Sequence, residues 1–411
     1  MLIACELLIF AMVYFEYKFY RVAATPIVVL GGIYMVFIPL INIIGVNMDF
    51  LPLTDRTIFF FTFFIFVLFL GGQFWTVFYR KRRYVYSSVY ENKLTCKKNY
   101  VWYFFLLGLI SYIINLIQVI NIYGIDNTKS NAFGIFAHIG FISRCLLPII
   151  IYYAITEKKI KYIIAIVVNV IAMILFKGKY HLYIPIAGFV SLFLLIKQDI
   201  KMIRLFRIVC LTFGVSIILF VSVYTIIPNL IAGDTSFNTM IMGIGFSVKH
   251  FFHYLFCPFI TANEYFDTPC YMGLSNGLRT VFNPIDRLYQ WISGKKDYFD
   301  PAIELWPVID ESGATGNVGG IFSETVLNIG YGGSVIYLFL IGFLVYYFLN
   351  KTLCTGKRLI TTIYLVGMLM VCFFCNYFSL LPNLECFIIV YCVDVFIFDN
   401  HFKIGKVKLF K

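Results

Sequence analysis

The sequence predicts an all-α polytopic membrane protein, and its composition, hydropathy pattern and charge distribution all indicate this class. Of its 411 residues, 61% are hydrophobic and only 13% are charged, and the mean hydropathy is +0.87. A soluble chain of this length cannot bury that much apolar surface, so a lipid bilayer has to solvate most of it. The high aromatic content, 19%, suits lipid-facing and interfacial positions.

Apolar segments long enough to cross the hydrocarbon core recur along the whole chain. Since a crossing takes about 20 apolar residues, we expect about 11 transmembrane helices, within a range of about 10 to 12. They lie at 1–15, 26–46, 57–79, 100–122, 135–155, 161–176, 180–196, 206–228, 320–349, 359–380 and 384–399. The first lacks a basic region and a small-residue cleavage site, so we interpret it as a retained helix and not a signal peptide.

The loops between these segments alternate between basic and nearly neutral. About two thirds of the 33 Lys and Arg residues fall into one alternate set of loops, as at Arg80–Arg83 and in the C-terminal tail. Basic loops stay on the cytoplasmic side, so we expect the N-terminus outside and the C-terminus in the cytoplasm. Phe237–Ile260 is apolar enough to cross as well, but a crossing would put the basic tail outside. A re-entrant or interface-lying helix fits better.

Three regions follow from this pattern. Residues 1–228 hold the first eight helices, residues 229–319 form a long extracytoplasmic loop, and residues 320–411 hold the last three helices and the basic cytoplasmic tail. Loops longer than about 15 residues inside a compact fold are usually functional or disordered. This loop is too rich in aromatic and aliphatic residues for a disordered linker, so we interpret it as a cap over a site.

Several function classes find no support in the sequence. The formal charge of +12 is explained by membrane topology, so no nucleic-acid partner is expected. Walker, GxGxxG and HExxH motifs are missing, and no second CxxC accompanies Cys372–Cys375 as a zinc site requires, so we expect no metal and no cofactor. Most of the 11 cysteines lie in apolar segments as small hydrophobic residues. Only Cys257 and Cys270 share the cap and could form a disulfide there.

Two groups of basic residues in the first eight helices are candidate anion ligands. Arg144 lies near the middle of the fifth helix, where a charge is costly. It is either a structural cation paired with Glu385 or Asp394, or a ligand for phosphate or carbohydrate. Lys177, Lys179 and His181 crowd a short turn at the outer mouth of two helices. Lysine is a competent partner for phosphate, so this turn indicates a site for an anionic head group. We therefore predict Arg144, Lys177 and Lys179 as diphosphate ligands and His181 as a further substrate ligand.

The first half of the cap carries Lys249, His250 and His253 at helical spacings of three and four. A histidine of near-neutral pKa can act as a general base, so we take His253 as a candidate base with Lys249 and His250 as substrate ligands. The alternative is an interfacial helix whose polar residues face water.

The second half of the cap predicts an amphipathic helix over Leu274–Ile292, broken near Pro284. Arg279 and Arg287 flank the break. Two such arginines can hold a diphosphate through bidentate hydrogen bonds, or they can be salt-bridged surface residues.

A glycine-rich stretch, Ala314–Gly333, leads into the ninth helix. Its glycines permit tight turns and close packing at the membrane mouth. Glu324 and Asn328 lie four residues apart and share a helix face there. Glu324 is therefore the second candidate base, in competition with His253.

These segments together resemble the bacterial oligosaccharide repeat-unit polymerases of O-antigen and capsule synthesis, the Wzy type. The resemblance lies in the helix number, in one dominant outer loop before the last helices, and in the string TGNVGGIFSETVLNIGYGG. The segments FKGKYHLYIPIAGF and HFFHYLFCPF are also similar to family segments. Relatives often carry Arg where this chain has Lys177 and Lys179.

The resemblance implies a membrane-embedded glycosyltransferase of the GT-C type in the bacterial cytoplasmic membrane. Its substrate would be an undecaprenyl-diphosphate-linked oligosaccharide, and its product a longer glycan moved onto the next lipid-linked repeat unit. Membrane lipids, a chain-length regulator and a flippase are the partners it suggests. The cations would hold the leaving diphosphate, and a base would polarise the acceptor hydroxyl. A lipid-linked oligosaccharide flippase and an O-antigen ligase-like transferase are the alternatives.

Overall fold

A computed structural model describes residues 1–79, 87–124, 128, 134–176, 180–197, 236–294 and 305–398, with single positions at 207, 214, 217, 218 and 221. Over these residues the chain is helical and contains no strand. Two isolated bridges occur, Phe50 with Asp310 and Val308 with Thr315. The predicted helix at 206–228 and the basic tail lie almost wholly outside the described residues.

The helices follow the apolar segments of the sequence. In chain order they are α1 Leu2–Tyr20, α2 Gly32–Leu40, α3 Asp55–Tyr79, α4 Ser87–Tyr123, α5 Gly134–Glu157, α6 Ile160–Leu175, α7 Tyr180–Ile196, α8 Phe237–Ile260, α9 Ala262–Tyr265, α10 Leu274–Val281, α11 Asn283–Ser293, α12 Ile321–Thr355, α13 Leu359–Val371 and α14 Leu381–Val393. Helix α2 is extended by π-helical turns at Ile27–Gly31 and Ile41–Gly45, and α14 by one at Asp394–Phe398.

Six of these segments are long and apolar enough to cross a membrane: Ile27–Met48, Asp55–Trp75, Val89–Tyr123, Gly134–Glu157, Ile321–Thr355 and Leu381–Phe398. Shorter apolar helices are Ile160–Leu175, Leu182–Ile196 and Leu359–Val371. The expected all-helical membrane protein with several crossing helices is therefore confirmed. The number eleven stays a prediction.

The crossing helices pack in pairs through glycine. Helix α3 lies along α12 and α4 along α5. A Cβ at Gly71 would overlap the Phe339 carbonyl, and one at Gly342 would overlap the Leu68 carbonyl. In lipid, such small residues let helix backbones approach closely and gain dispersion contacts.

Helix α12 is interrupted at Gly330, whose φ of 67° and ψ of 179° are not helical. The short helix before it, Ile321–Ile329, is called here the half-helix. Its last carbonyls accept hydrogen bonds from the cap: the Cys270 N–H donates to Val326 at 3.2 Å and the Tyr271 N–H to Leu327 at 2.8 Å. The predicted helix at 320–349 is thus not continuous, because a residue without a Cβ lets the chain turn there.

A second interruption lies between α13 and α14. Helix α13 ends at Val371, well before the predicted end at 380, and a single 3₁₀ turn, Tyr377–Ser379, leads to α14. The half-helix starts against this break, since the Ile321 N–H donates to the Cys372 carbonyl at 2.8 Å. The start of the half-helix therefore lies against the break between α13 and α14.

The cap joins the helix core through the second half of α8. Phe256 and Phe259 are buried, and the Phe259 ring lies 5.0 Å from that of Tyr34. The first half is exposed, as at Met242 and Phe246.

The disulfide considered for the cap is not formed. Cys257 lies 3.9 Å from the Val318 carbonyl and Cys270 lies beside Gly330, and both thiols are free. The two residues belong to different parts of the cap, so the structure does not bring their thiols together.

Candidate functional site

A buried chain of polar groups runs through the place where the two interrupted helices meet. It is called the polar network and consists of Glu324, Tyr337, Asn376, Tyr377, Asn383, Tyr364 and Arg144. Polar and ionisable groups at membrane depth are costly, so a connected set of them indicates a functional site.

Arg144 forms one end of the polar network. Its side chain is 1% exposed, and its Nη2 donates to Asn383 Oδ1 at 2.8 Å. Asn383 in turn donates through Nδ2 to the Tyr377 carbonyl at 2.8 Å. The Tyr364 hydroxyl donates to the Asn383 carbonyl at 3.1 Å. Helix α5 is thereby fastened to the break between α13 and α14.

The two carboxylates expected as partners of Arg144 are engaged elsewhere. Glu385 Oε2 lies 2.9 Å from His138 Nδ1. Asp394 accepts from the Thr361 N–H at 2.7 Å and from the Ile360 N–H at 3.2 Å, which caps the first turn of α13. The partner of Arg144 is instead the side-chain amide of Asn383, which the sequence analysis did not predict.

Glu324 forms the other end of the polar network. It is 7% exposed and lies in the first turns of the half-helix. Its Oε1 accepts from the Gly319 N–H at 3.3 Å and its Oε2 from the Asn376 N–H at 2.8 Å. The Tyr337 hydroxyl donates to Asn376 Oδ1 at 3.3 Å. The carboxylate therefore ties the start of the half-helix to the second interruption.

Asn328 shares this face, as predicted, and its Nδ2 donates to the Glu324 carbonyl at 2.7 Å. The backbone from Asn376 to Tyr377 then links the two ends, because the Asn376 N–H donates to Glu324 and the Tyr377 carbonyl accepts from Asn383, the partner of Arg144. A cation and a carboxylate that are far apart in sequence thus belong to one connected site. Interrupted helices at membrane depth are tolerated where the backbone is buried in protein or lines a cavity, and transporters use such places to bind charged substrates.

Lys249, His250 and His253 lie on α8, apart from the polar network. Lys249 Nζ contacts Asp49 Oδ2 at 3.3 Å, and the two side chains are 40% and 63% exposed. The His250 ring lies 4.9 Å from that of Tyr254 and 6.0 Å from that of His253. Burial, with smaller effects of His250 and Lys249, lowers the pKa of His253 although Asp310 opposes this. A lowered pKa favours the neutral imidazole.

The pKa of the Asp310 carboxyl depends on burial and on the hydrogen bonds within its own turn. Burial raises the pKa of its carboxyl, but hydrogen bonds from Ser312 and Ala314 outweigh burial, and the net pKa is lowered. Its Oδ1 accepts from the Ser312 hydroxyl at 2.6 Å and the Ala314 N–H at 3.0 Å. The residue is a turn-forming carboxylate that adds negative charge near His253.

Arg279 and Arg287 lie on two successive helices, α10 and α11, separated at Phe282. The break predicted near Pro284 is confirmed. Arg279 Nε donates to Asp286 Oδ1 at 3.1 Å, and Gln290 donates to Asp286 Oδ2 at 2.6 Å. Of the two interpretations of Arg279, the structure therefore has the salt-bridged one.

The cap nonetheless covers the polar network. Helix α10 packs on the half-helix side of α12 and on the Tyr377–Ser379 turn, and α11 packs on α14. A Cβ at Gly277 would overlap the Asn328 carbonyl, so α10 lies directly on the end of the half-helix.

Lys177 and Lys179 lie outside the described residues. His181 is in α7, and its side chain is also outside them. The anion site proposed at this turn stays a prediction. In the part of the chain that the structure describes, no group of three His, Cys, Asp or Glu residues could hold a metal ion.

Sequence reasoning missed several members of the network and one buried acid. Asn376 and Asn383 were not among the predicted site residues, because an asparagine between apolar residues also serves ordinary helix packing. Glu16, fully buried in α1, accepts a hydrogen bond from the Tyr346 hydroxyl. An acidic residue inside an apolar helix was the available signal for it.

Comparison with protein-family models, with curated proteins and with solved structures finds no match. What the site can do has to follow from its own residues.

Proposed function

We propose that the protein is a GT-C-like glycosyltransferase with about 11 membrane-crossing helices. In this proposal it polymerises undecaprenyl-diphosphate-linked oligosaccharide repeat units on the outer face of the bacterial cytoplasmic membrane. The observation that carries the proposal is the polar network, which joins Arg144 to Glu324 beneath the cap.

The chemistry of such a transfer calls for two kinds of group. The acceptor hydroxyl attacks the anomeric carbon of the donor sugar, and the bond from that carbon to the phosphate oxygen breaks. The lipid diphosphate leaves with the bonding electrons, and the hydroxyl proton passes to a base. A diphosphate is already a good leaving group, so positioned positive charge is sufficient to stabilise it.

Glu324 is the base that we assign. Its two oxygens each accept one backbone N–H and keep further lone-pair capacity for a hydroxyl proton. It is also the candidate base that shares a network with Arg144. His253 lies with Lys249 and His250 on α8, and we assign it to the cap.

Arg144 is the cation that we assign to the diphosphate. It is buried in α5 at the level of the break between α13 and α14, and its guanidinium offers planar donors that match phosphate oxygens. Arg287 on α11 is the second candidate, because α11 packs on α14. Arg279, which contacts Asp286, would have to leave that partner to take part.

Deletion of the gene followed by gel analysis of surface glycan tests the reaction class. We expect a single capped repeat unit in place of the ladder of chain lengths. Loss of lipid-linked units from the outer face would contradict the proposal and indicate the flippase. Lipid-linked polymer that is made but not transferred would contradict it and indicate the ligase-like transferase.

A further inference from the structure

The helical pair α10–α11, residues Leu274–Ser293, is amphipathic in the direction opposite to that of a water-exposed helix. Its apolar side chains point away from the protein: Leu274, Leu278, Ile285, Leu288, Tyr289, Trp291 and Ile292 are all exposed, Trp291 by 80% and Ile292 by 72%. On the opposite side, Gln290 is 6% exposed and donates to Asp286, which also accepts from Arg279. The polar side chains of Ser275, Asn276 and Ser293, at the two ends of the pair, are exposed. This arrangement favours a hydrocarbon surrounding over water.

The pair that carries this exposed face packs on membrane-crossing helices. Helix α10 packs on α12 and α11 packs on α14. The Phe282 ring lies 5.6 Å from that of Tyr337, which lies on α12 after the Gly330 interruption. The neighbouring surface of α14 also exposes apolar side chains, such as Ile388 at 53%. An exposed apolar face on helices that pack against membrane-crossing helices is expected to contact the same lipid as they do.

The end of the pair carries the residues that anchor proteins at a lipid head-group layer. Tyr289 and Trp291 are aromatic residues of the kind enriched at membrane interfaces. In the sequence, Lys295 and Lys296 follow after Gly294, and lysines near a bilayer surface are attracted to anionic lipids.

We propose that α10–α11 lies in the head-group and acyl-chain boundary of one leaflet, with Ile285, Leu288, Trp291 and Ile292 in the lipid. An interfacial helix buries such a face by about 5–10 Å. The partner is therefore the bilayer itself, and this inference does not depend on the proposed reaction. It follows that the lipid surface holds α10 against the end of the half-helix, over the polar network.

Site-specific photocrosslinking in the full-length protein tests this directly. The variant Ile292→p-benzoylphenylalanine is placed in vesicles of phosphatidylglycerol and phosphatidylethanolamine, illuminated, and analysed by mass spectrometry. Position 292 is exposed, so the substitution removes no packing contact. The matched control is Glu311→p-benzoylphenylalanine, at an exposed charged position in the polar turn of the cap.

We expect a phospholipid adduct at position 292 and none at position 311. Equal adduct at both positions, or none at 292, would overturn the proposal. An adduct between two protein chains at 292 would overturn it as well, because a second copy and not lipid would then cover the face.

Discussion

The polar network and the cations of the cap contain similar residue types in different surroundings. In the network, Arg144 and Glu324 are almost fully buried, and fixed partners such as Asn383 and the Asn376 N–H hold them. In the cap, Lys249 contacts Asp49 across an exposed surface. A buried charged group that loses its partner keeps the full desolvation cost, whereas an exposed pair exchanges its partner for water.

This difference shows which of the predicted site residues are the stronger candidates for a functional role. Exposed ion pairs contribute little to the free energy of unfolding, so the ion pairs of the cap are not by themselves evidence of a functional site. A buried network is retained against a cost, and its members have to be satisfied together. Four sets of variants test this difference between the network and the cap.

The largest effect is expected for Glu324→Ala. Two buried N–H groups, of Gly319 and Asn376, lose their acceptor, and each such loss costs about 1–3 kcal/mol, so we expect a total of about 3 kcal/mol. Thermal unfolding in detergent measures it. Glu311→Ala, which removes an exposed carboxylate from the cap, is the control and should change stability by less than about 0.5 kcal/mol. Equal effects of the two variants would mean that the network is not energetically distinct.

The interruption of α12 should be nearly as sensitive. Gly330 has a backbone conformation that is essentially restricted to glycine, so Gly330→Ala should cost about 1–3 kcal/mol. Gly332→Ala, two residues further on, is the control because a Cβ there meets no atom within 4 Å. It should be neutral or stabilising by up to about 1 kcal/mol. The free energy of unfolding of both variants checks this. A neutral Gly330→Ala would contradict the need for a glycine conformation at the interruption.

Double-mutant cycles compare the two regions on one scale. For Arg144→Met with Asn383→Ala we expect a coupling energy of about 1 kcal/mol, in the upper part of the range for hydrogen bonds between membrane helices. For Lys249→Gln with Asp49→Asn we expect at most about 0.5 kcal/mol, since the pair is exposed. Both cycles are measured by unfolding in the same detergent. A larger coupling in the cap would reverse the comparison.

The smallest effect is a pH dependence of the cap. The pKa of His253 is lowered in the folded protein, mainly by burial. At a pH near the ordinary histidine pKa of about 6.5, the unfolded chain therefore binds more protons than the folded protein. The stability that His253 contributes is present above that pH and is lost as pH falls through the folded pKa. Unfolding of the wild type and of His253→Gln between neutral and mildly acidic pH should show a shallower slope in the variant. Parallel curves would exclude His253 as the cause.

Hydropathy alone predicted most of the fold, because a crossing helix is recognisable from its apolar length. The interruptions were harder to predict. Gly330 was one glycine among several in the glycine-rich stretch, and the break after Val371 lies in a segment that is apolar throughout. Both depend on tertiary hydrogen bonds, such as those from the cap to Val326 and Leu327.

The candidate site was predicted in part. Arg144 and Glu324 stand out because charges are rare in such segments. Their connection through Asn376 and Asn383 was not predictable, because an asparagine between apolar residues also serves ordinary helix packing. The apolar face of α10–α11 was visible as periodicity, but its outward direction depends on the packing of α10 on α12.

The most direct test of the central claim is transfer by the purified protein in vesicles that contain lipid-linked repeat units. The wild type should join two repeat units and release one lipid diphosphate. Glu324→Gln keeps one acceptor oxygen for a backbone N–H but no longer takes up a proton, so it should remain folded and lose the product. Folded Glu324→Gln that makes product at the wild-type rate would contradict the assignment of Glu324 as the base. The absence of product from the wild type with every lipid-linked unit offered would contradict the proposed transferase.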